Sequence, residues 1–235
     1  MTHQQTLRDH GVVLLKGIFP QHSVANLKRS AEAADFTRCA SWRFTPFSYS
    51  MLLPALLEFG VASREELLAP FAAGGLKALI AEVIGDPAFC NLEQSWVRKR
   101  FAPSNAPPCY RPNVWHQDGG LDAPYGPDPD SVIPMTGLIT CWVPLRACGH
   151  DCPGLEFVRQ PLDRLLHYTE LNDQNLRRRF APDRFWAPEL EFGDALLFLN
   201  GTLHRTHVLP EMKEDRLSLE YRFFPASCST PAAAI

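Results

Sequence analysis

The chain has 235 residues, of which 46% are hydrophobic and 21% are charged, and its formal net charge is −3. This length allows one large domain or two small ones, and the hydrophobic content is ample for a sizeable core. The charge balance gives no electrostatic reason to expect nucleic acid or a membrane surface as a partner. The 21 prolines are spread through connecting stretches, which favours short strands and irregular loops over a helical bundle.

Targeting features and cysteine usage both predict a cytoplasmic protein. There is no run of about eighteen apolar residues, so no transmembrane helix is expected. The N-terminal residues lack the charged, apolar and small-residue order of a secretory signal. The seven cysteines are irregularly spaced and are interpreted as reduced thiols rather than as a disulfide framework.

The first third of the chain is predicted to be largely helical. Residues 11–15 form a short apolar run of β type, and Ser23 fits the N-cap of a helix that continues to about residue 34. Ser63 and Glu66 have the spacing of a capping box, which opens a second helical stretch. A third helix is expected from Gly75 to Ile84.

After about residue 88 the pattern changes to short strands separated by turn-rich loops. The predicted strands cover residues 90–101, 136–145, 155–158, 195–199, 202–208 and 216–224. Residues 122–134 are expected to form a loop, and residues 161–179 a helical excursion. This order predicts one α+β, mainly β, domain with a helical part over about 1–88 and a closed or double-sheet β core over about 89–226.

His116 and Asp118 are the first candidate metal ligands. Residues two apart on an extended segment face the same side, so an imidazole and a carboxylate can converge on one ion. Two histidines and one carboxylate, with open positions for a co-substrate and O2, are typical of non-haem iron(II) oxygenases. The pair alone is a weak signal, because a surface turn before Gly119 and Gly120 also explains it.

The last two predicted strands supply further candidates. His204 and Thr206 share one face of the first strand, and Arg216 and Ser218 share one face of the next. If these strands pair, a ligating imidazole has a hydroxyl and a guanidinium close by. Arginine suits a dicarboxylate co-substrate because its fork binds a carboxylate bidentately and stays charged when buried.

Segments along nearly the whole chain resemble the phytanoyl-CoA dioxygenase family of iron(II)/2-oxoglutarate oxygenases. They are DHGVVLLKGIFPQHSVANLKRSA (the opening strand and helix), VWHQDGG (the first metal motif), TCWVPL (the central strand) and FGDALLFLNGTLHRTH with DRLSLEYRFF (the closing motif). The resemblance implies a double-stranded β-helix, the cupin-like jelly roll, with N-terminal helices packed outside. It also implies Fe(II), with 2-oxoglutarate and O2 as co-substrates, and oxidation of a substrate C–H bond with release of succinate and CO2.

The resemblance further assigns roles to single residues. The implied iron ligands are His116, Asp118 and His204. The implied co-substrate residues are Arg216 and Thr206 at the distal carboxylate, Ser218 beside Arg216, and Gln94 with Arg98 on the strand before the first metal motif. His207 competes for the third ligand position, but His204 shares a face with Thr206 and its distance from Asp194 fits the family.

Asp118 also bears on the type of reaction. Halogenases of the same family replace this carboxylate by a small residue, so that chloride can bind the iron. The carboxylate therefore favours hydroxylation of a small metabolite, or a desaturation, ring closure or epimerisation by the same oxidant. Where relatives have a Pro-Gly-Ser-His turn, residues 156–161 read EFVRQP, which leaves the substrate unassigned.

Two side-chain groups allow a second interpretation. Arg98 and Arg100 share a strand face and either meet solvent or point into the barrel to receive an anionic substrate or co-substrate. Tyr110 and Trp115 either line a substrate pocket or pack in the core.

A zinc site is a further alternative, although the spacing lacks a paired C-x-x-C and loop thiols are the expected state. Its ligands would be Cys141, Cys148, His150 and Cys152. For the chain as a whole, the alternative is a non-catalytic or non-oxidative cupin-like protein that binds a metal or ligand. Exposed sheet edges on a jelly roll would also suit a homodimer.

Overall fold

The structure is a computed structural model that describes residues 1–36, 44–45, 47–72, 75–85, 88–120, 134–225 and 233–234. The α-helices within these ranges are α1 (His3–His10), α2 (Gln21–Ala33), α3 (Pro54–Glu58), α4 (Arg64–Ala72), α5 (Gly75–Ile84) and α6 (Asp173–Arg179). The strands are β1 (Val12–Leu15), β2 (Phe44–Thr45), β3 (Ser50–Leu52), β4 (Ala88–Cys90), β5 (Trp96–Arg100), β6 (Ile139–Pro144), β7 (Gly154–Val158), β8 (Phe185–Trp186), β9 (Ala195–Leu199), β10 (His204–His207), β11 (Arg216–Pro225) and β12 (Ala233–Ala234). Apart from its last residue, the loop expected at 122–134 lies outside the described residues.

Two antiparallel sheets face each other and form a jelly roll. Among the described residues, nine strands make the main sheet in the order β1-β9-β6-β11-β5-β3-β2, and β4 pairs with both β11 and β12. The second sheet has the order β10-β7-β8. Apolar side chains from both sheets meet between them, including Val12, Trp142, Leu155, Phe157, Leu196 and Phe198. The predicted α+β jelly-roll fold is confirmed.

Side-chain alternation gives the main sheet two different faces. On β6, Ile139, Cys141 and Val143 pack under the helices, whereas Trp142 points to the space between the sheets. Helices α1, α2, α4 and α5 cover the outer face, and each contributes fully buried side chains to one continuous core cluster. The N-terminal helices therefore pack outside the β core, as predicted.

The helix predictions are correct for α5 and for the capping box that opens α4. Glu66 N–H donates to Ser63 Oγ at 3.1 Å, and Ser63 N–H donates to Glu66 Oε2 at 2.7 Å. Helix α2 begins at Gln21 instead of after Ser23, because the Pro20 carbonyl already accepts from Ser23 N–H at 3.0 Å. Helix α1, capped by the Thr2 side chain, was not predicted.

Two longer predicted elements are interrupted. The strand expected over 90–101 is broken by a 3-10 turn at Leu92–Gln94, where the Asn91 side chain accepts from Glu93 N–H at 3.0 Å. The excursion at 161–179 is helical only over α6, whose start is capped by Asn172. The expected helical part also contributes β1, β2 and β3 to the main sheet.

Within the described part of the chain, no single helix is both long enough and apolar enough to span a membrane. One bent pair, Arg64–Phe71 with Gly75–Ile84, reaches the length and composition of a span only when its two members are combined.

Candidate metal centre

His116, Asp118 and His204 come together at one end of the space between the sheets. His116 and His204 exchange two backbone hydrogen bonds of 3.0 Å, so one antiparallel pair of residues fixes both histidines. Asp118 begins a 3-10 turn two residues after His116. One ligand atom of each residue lies within 4.8 Å of the others. This placement can hold a metal ion.

The distances within the cluster suit an ion at its centre. Asp118 Oδ1 lies 4.0 Å from His116 Nε2 and 3.9 Å from His204 Nε2. Three ligands on one face of an ion, with bonds of about 2.1 Å, lie about 3 Å from one another. The three side chains would therefore have to draw together by about 1 Å to bind one ion.

The histidine rings are oriented by backbone carbonyls. His116 Nδ1 lies 2.7 Å from the Val114 carbonyl oxygen, and His204 Nδ1 lies 3.1 Å from that of Thr202. When Nδ1–H donates to a carbonyl, the lone pair of Nε2 is available to a metal. Burial, and then repulsion from His204, lowers the pKa of His116 to about 4, so this imidazole is neutral at neutral pH.

Asp118 is held in its charged form by neighbours on the main sheet. Thr140 Oγ1 donates to Asp118 Oδ2 at 2.6 Å, and an Arg222 Nη donates to Oδ1 at 3.0 Å. Burial alone raises the pKa of this carboxyl, but Arg222, then His204 and His116, and the Thr140 hydroxyl outweigh it, and the pKa falls far below its usual value. Asp118 is therefore a fixed anion that suits a cationic metal.

Arg216 and Thr206 approach the centre from opposite sheets, so the condition that their strands pair is not met. Strand β10 pairs with β7, whereas β11 pairs with β4, β5 and β6. In a jelly roll the chain crosses from one sheet to the other after β10, which places the two side chains across the interior from each other. They border a buried pocket of about 10 Å³ whose lining residues are Arg98, Arg100, Asn113, His116, Trp142, Leu155, His204, Thr206, Arg216 and Glu220.

Arg216 is buried, with 1% of its surface exposed. Its Nη1 donates to the carbonyl oxygens of Gly154 at 2.6 Å and Pro153 at 3.3 Å. The guanidinium lies over the Trp142 ring, 4.9 Å from its centre. Nε of Arg216 and Oγ of Ser218, its neighbour on the same face, have no hydrogen-bond partner among the described residues.

Arg98 points into the barrel and not towards solvent, which were the two orientations considered for it. It donates to both carboxylate oxygens of Glu220 at 2.7 Å and to Ser50 Oγ at 2.9 Å. Gln94, which was expected on a strand, instead lies in the 3-10 turn and lines neither pocket beside the metal residues. Its main-chain oxygen accepts from Arg222 at 3.0 Å, so Gln94 supports the site from behind.

A second pocket of about 370 Å³ opens beside the candidate ligands. It is lined by Trp96, Arg98, Asn113, His116, Gln117, Asp118, Gly120, Tyr168, Leu171 and Arg222. Tyr110 and Trp115, the two aromatic candidates for lining a substrate pocket, are buried and do not line this one; Tyr110 packs edge-on against Phe101. Trp115 packs against Val158 and Leu176, so core packing is the correct interpretation for it.

The residues that sequence reasoning missed are Thr140, Glu220 and Arg222. Along β11, Ser218, Glu220 and Arg222 alternate with Leu219 and Tyr221, and all are buried. This alternation of polar and apolar residues on a central strand was a readable signal of a polar interior.

The competing ligand sets are not assembled by the described residues. His207 is half-buried on the face of β10 opposite to His204. Cys141 packs under the helices, whereas Cys148 and Cys152 lie between the sheets, and His150 is largely exposed. The zinc alternative therefore fails. The five described cysteines are free thiols, and Cys39 and Cys228 lie outside the described residues.

Solved structures of iron and 2-oxoglutarate enzymes share this fold. EctD from S. alaskensis, solved with 2-oxoglutarate and 5-hydroxyectoine, is 18% identical, with a TM-score of 0.70 over 97% of this chain and 77% of its own. The non-haem α-ketoglutarate-dependent epimerase SnoN from nogalamycin biosynthesis is 16% identical, with a TM-score of 0.61 over 99% and 91%. EvdO2 from Micromonospora carbonacea var. aurantiaca, complexed with 2-oxoglutarate, is 16% identical, with a TM-score of 0.60 over 99% and 91%.

No protein-family model matches the chain, and no curated protein matches it either. The structural likeness establishes the fold, while the resemblance to the phytanoyl-CoA dioxygenase family remains a prediction from the sequence.

Proposed function

We propose that the chain is a non-haem iron(II)- and 2-oxoglutarate-dependent oxygenase that acts on a small molecule. The observation that carries the proposal is the position of His116, Asp118 and His204 beside a buried pocket whose unpartnered polar atoms can all donate hydrogen bonds. Two imidazoles and one carboxylate are the donor set of iron(II) oxygenases, which leave three positions of the ion open. EctD, which shares the fold, has been solved with bound Fe.

The pocket beside the metal residues suits the distal carboxylate of 2-oxoglutarate. Within the described residues, Arg216 Nε and Trp142 Nε1 line this pocket and are buried without a partner, and so is Oγ of Ser218, the neighbour of Arg216 on the same strand face. The two N–H groups can only donate, and the hydroxyl can donate as well. A buried donor without an acceptor costs roughly 1–3 kcal/mol, so a ligand rich in acceptors would remove a substantial penalty.

Co-substrate binding requires side chains to move. The pocket of about 10 Å³ has room for one water molecule and not for a five-carbon diacid. We expect Arg216 to leave the carbonyls of Gly154 and Pro153 and to take up the carboxylate, with Thr206 facing it from the second sheet.

Each part of the site then has a distinct task. Iron with 2-oxoglutarate and O2 supplies, when bound, an oxidant for an unactivated C–H bond and releases succinate and CO2. Thr140 and Arg222 keep the carboxylate of Asp118 charged and aimed at the ion. The pocket of about 370 Å³ would place the substrate next to the open side of the centre, between Trp96 and Tyr168.

Hydroxylation is the reaction that we infer. Asp118 would supply the third protein ligand, so the vacancy that a halogenase uses for chloride would not arise. The same fold serves the epimerase SnoN and the carbocyclase SnoK, so the products must be identified directly.

The test is anaerobic titration of the purified protein with Fe(II) and 2-oxoglutarate. We expect a lilac charge-transfer absorption, followed on admission of air by succinate release with a panel of metabolites. Asp118→Ala should abolish both signals, and Arg216→Ala should chiefly weaken 2-oxoglutarate binding. If the wild-type protein gives neither the absorption nor succinate, the proposal is wrong.

The alternative, a cupin-like protein that only binds a metal or ligand, shares the metal residues without needing Arg216 and Thr206. The change in melting temperature separates the two. The oxygenase is stabilised by 2-oxoglutarate in the presence of metal, because a ligand that binds only the folded state raises its stability. A non-oxidative metal enzyme would instead turn over a substrate without O2.

A further inference from the structure

Arg100 is a second buried cation at the end of the pocket where Arg216 lies. The two residues are directly opposed on β5 and β11, so their side chains leave the main sheet on the same face. Arg100 is fully buried and Arg216 is 1% exposed. Both line the narrow pocket beside the candidate metal ligands.

The acceptors around these two guanidinium groups are neutral. Arg100 donates to the Ser48 and Lys99 carbonyls, to Ser50 Oγ at 3.3 Å and to Asn113 Oδ1 at 3.1 Å. Arg216 donates to two backbone carbonyls. Among the described residues no carboxylate forms an ion pair with either group, and Nε of each is buried without a partner.

The neighbouring arginines on the same face are arranged differently. Arg98 forms an ion pair with Glu220 at 2.7 Å, and Arg222 forms ion pairs with Asp118 at 3.0 Å and Glu220 at 2.8 Å. Among the described residues, four guanidinium groups of this face thus meet two carboxylates, and both carboxylates lie on the side of Arg98 and Arg222. The excess positive charge is concentrated at Arg100 and Arg216.

Two adjacent buried cations without a counter-ion are unfavourable, because each loses its hydration and repels the other. Burial lowers the pKa of both groups, and for Arg100 repulsion from Arg98 and Arg216 adds to it. An anionic ligand between them would remove this penalty.

We propose that Arg100 is a second cationic anchor for the distal carboxylate of 2-oxoglutarate, acting together with Arg216; this rests on the proposed function. Asn113 aligns Arg100 for the task. Its side chain accepts from Arg100, and its main-chain oxygen accepts from Thr206 N–H at 3.0 Å. Arg100 is thereby tied to the strand that carries Thr206 and His204, and the carboxylate would be held from both sheets.

A two-cation anchor makes the site selective for the second carboxylate of the co-substrate. The test compares 2-oxoglutarate with 2-oxopentanoate, which has the same chain and 2-oxo acid end but no distal carboxylate. Binding of each acid to the Fe(II)-loaded protein is measured anaerobically by calorimetry, so no turnover is needed.

Arg100→Met should weaken 2-oxoglutarate binding by about 10- to 100-fold, the range for loss of a charged hydrogen bond, and leave 2-oxopentanoate within about twofold. Lys99→Met is the matched control, because it removes a cation from the other face of the same strand and should change neither affinity. If Arg100→Met does not fold, Arg100→Lys takes its place, with an expected loss of about 3- to 10-fold for 2-oxoglutarate alone.

Two results would overturn the anchor. One is an unchanged 2-oxoglutarate affinity in the folded variant, and the other is an equal loss for both acids, which indicates general damage to the site. A wild-type protein that binds no 2-oxoglutarate overturns the proposed function itself, and the anchor with it.

Discussion

At the residue scale, the most informative side chain is Asp118, because groups on another part of the chain determine its state. Its two carboxylate oxygens accept from Thr140 and Arg222, which belong to adjacent strands of the main sheet. Such supporting hydrogen bonds orient a ligating side chain before the metal binds, and they raise the affinity of the site for the metal. Strands β6 and β11 therefore contribute to the candidate centre without supplying a ligand.

Thr140→Val should weaken metal binding by about 10- to 100-fold, because the variant keeps the side-chain shape but removes the donor to Asp118 Oδ2. Thr140→Ser, which retains the hydroxyl, should restore most of the affinity. The measurement is competition between the protein and a coloured chelator for Fe(II) or Mn(II). Equal affinities of Thr140→Val and the wild-type protein would show that this hydrogen bond does not position Asp118.

Glu220 links the same network to the pH dependence of stability. Burial raises its pKa, but Arg98 and Arg222 outweigh this and lower the pKa to about 2, from an unfolded value of 4.5. Because the pKa of Glu220 is lower in the folded than in the unfolded chain, the charged carboxylate stabilises the fold at pH values above about 4.5. This contribution to stability is lost as the pH falls from about 4.5 to about 2.

Glu220→Gln should reduce the free energy of unfolding at pH 7 by about 3–5 kcal/mol, because two buried guanidinium groups lose a carboxylate partner. The difference from the wild-type protein should shrink as the pH falls from about 4.5 towards about 2. Urea denaturation of the metal-free proteins over this pH series measures it. A constant difference at all pH values would contradict the assigned ion pairs.

Sequence reasoning reached the candidate ligands mainly through a resemblance to a known family. The local signal is weak, because His116 and Asp118, two residues apart, also fit a surface turn, and His204 was preferred to His207 for the face that it shares with Thr206 and for its fit to the family. The contacts of Asp118 with Thr140 and Arg222 were not predictable in the same way. They depend on which strands are neighbours in the main sheet, and alternation along one strand carries no information about its neighbours.

At the element scale, the strands themselves were found more reliably than their partners. Predicted strands at β1, β6, β7, β9, β10 and β11 all exist. The pairing of β10 with β11, which the sequence offered only as a condition, does not occur, because the chain changes sheets between them. Side-chain faces were nevertheless correct, since alternation does not depend on the partner.

The turn between β9 and β10 fixes where His204 stands. At Gly201 an added Cβ would lie 2.0 Å from the Leu162 carbonyl oxygen, and the Gly201 carbonyl accepts from Gln117 at 3.0 Å. The turn is thus packed against the segments on both sides of it, and only glycine fits.

Gly201→Ala should destabilise the protein by about 1–3 kcal/mol, the usual range for overpacking, and should weaken metal binding because the turn carries His204. Gly137→Ala is the control, since nothing lies within 4 Å of its added Cβ. Urea denaturation of both variants provides the comparison. A Gly201→Ala protein as stable as Gly137→Ala would show that the turn can shift freely.

At the scale of the whole molecule, the helices and the main sheet share one core. Leu7 of α1, Leu27 of α2 and Phe71 of α4 belong to the same buried cluster as Val97 and Tyr221 of the sheet. Composition and the order of elements predicted this α+β arrangement. They could not predict that β1, β2 and β3 from the expected helical part would extend the sheet, because sheet membership is decided by long-range pairing.

We therefore expect the chain to unfold in a single cooperative transition, as one domain. Calorimetry should give equal calorimetric and van't Hoff enthalpies, which is the test of two-state unfolding. Two resolved transitions, one assigned by far-ultraviolet circular dichroism to the helices, would show instead that residues 1–88 are a separate unit.

The two backbone hydrogen bonds between His116 and His204 have a consequence for the metal-free protein. Because main-chain hydrogen bonds hold the two imidazoles together, their spacing does not depend on an ion. Loss of the proposed iron would then leave both imidazoles in place, and only the short turn that begins at Asp118 would have to adjust around a new ion. Reloading of the proposed centre is then a local event that does not require the chain to unfold.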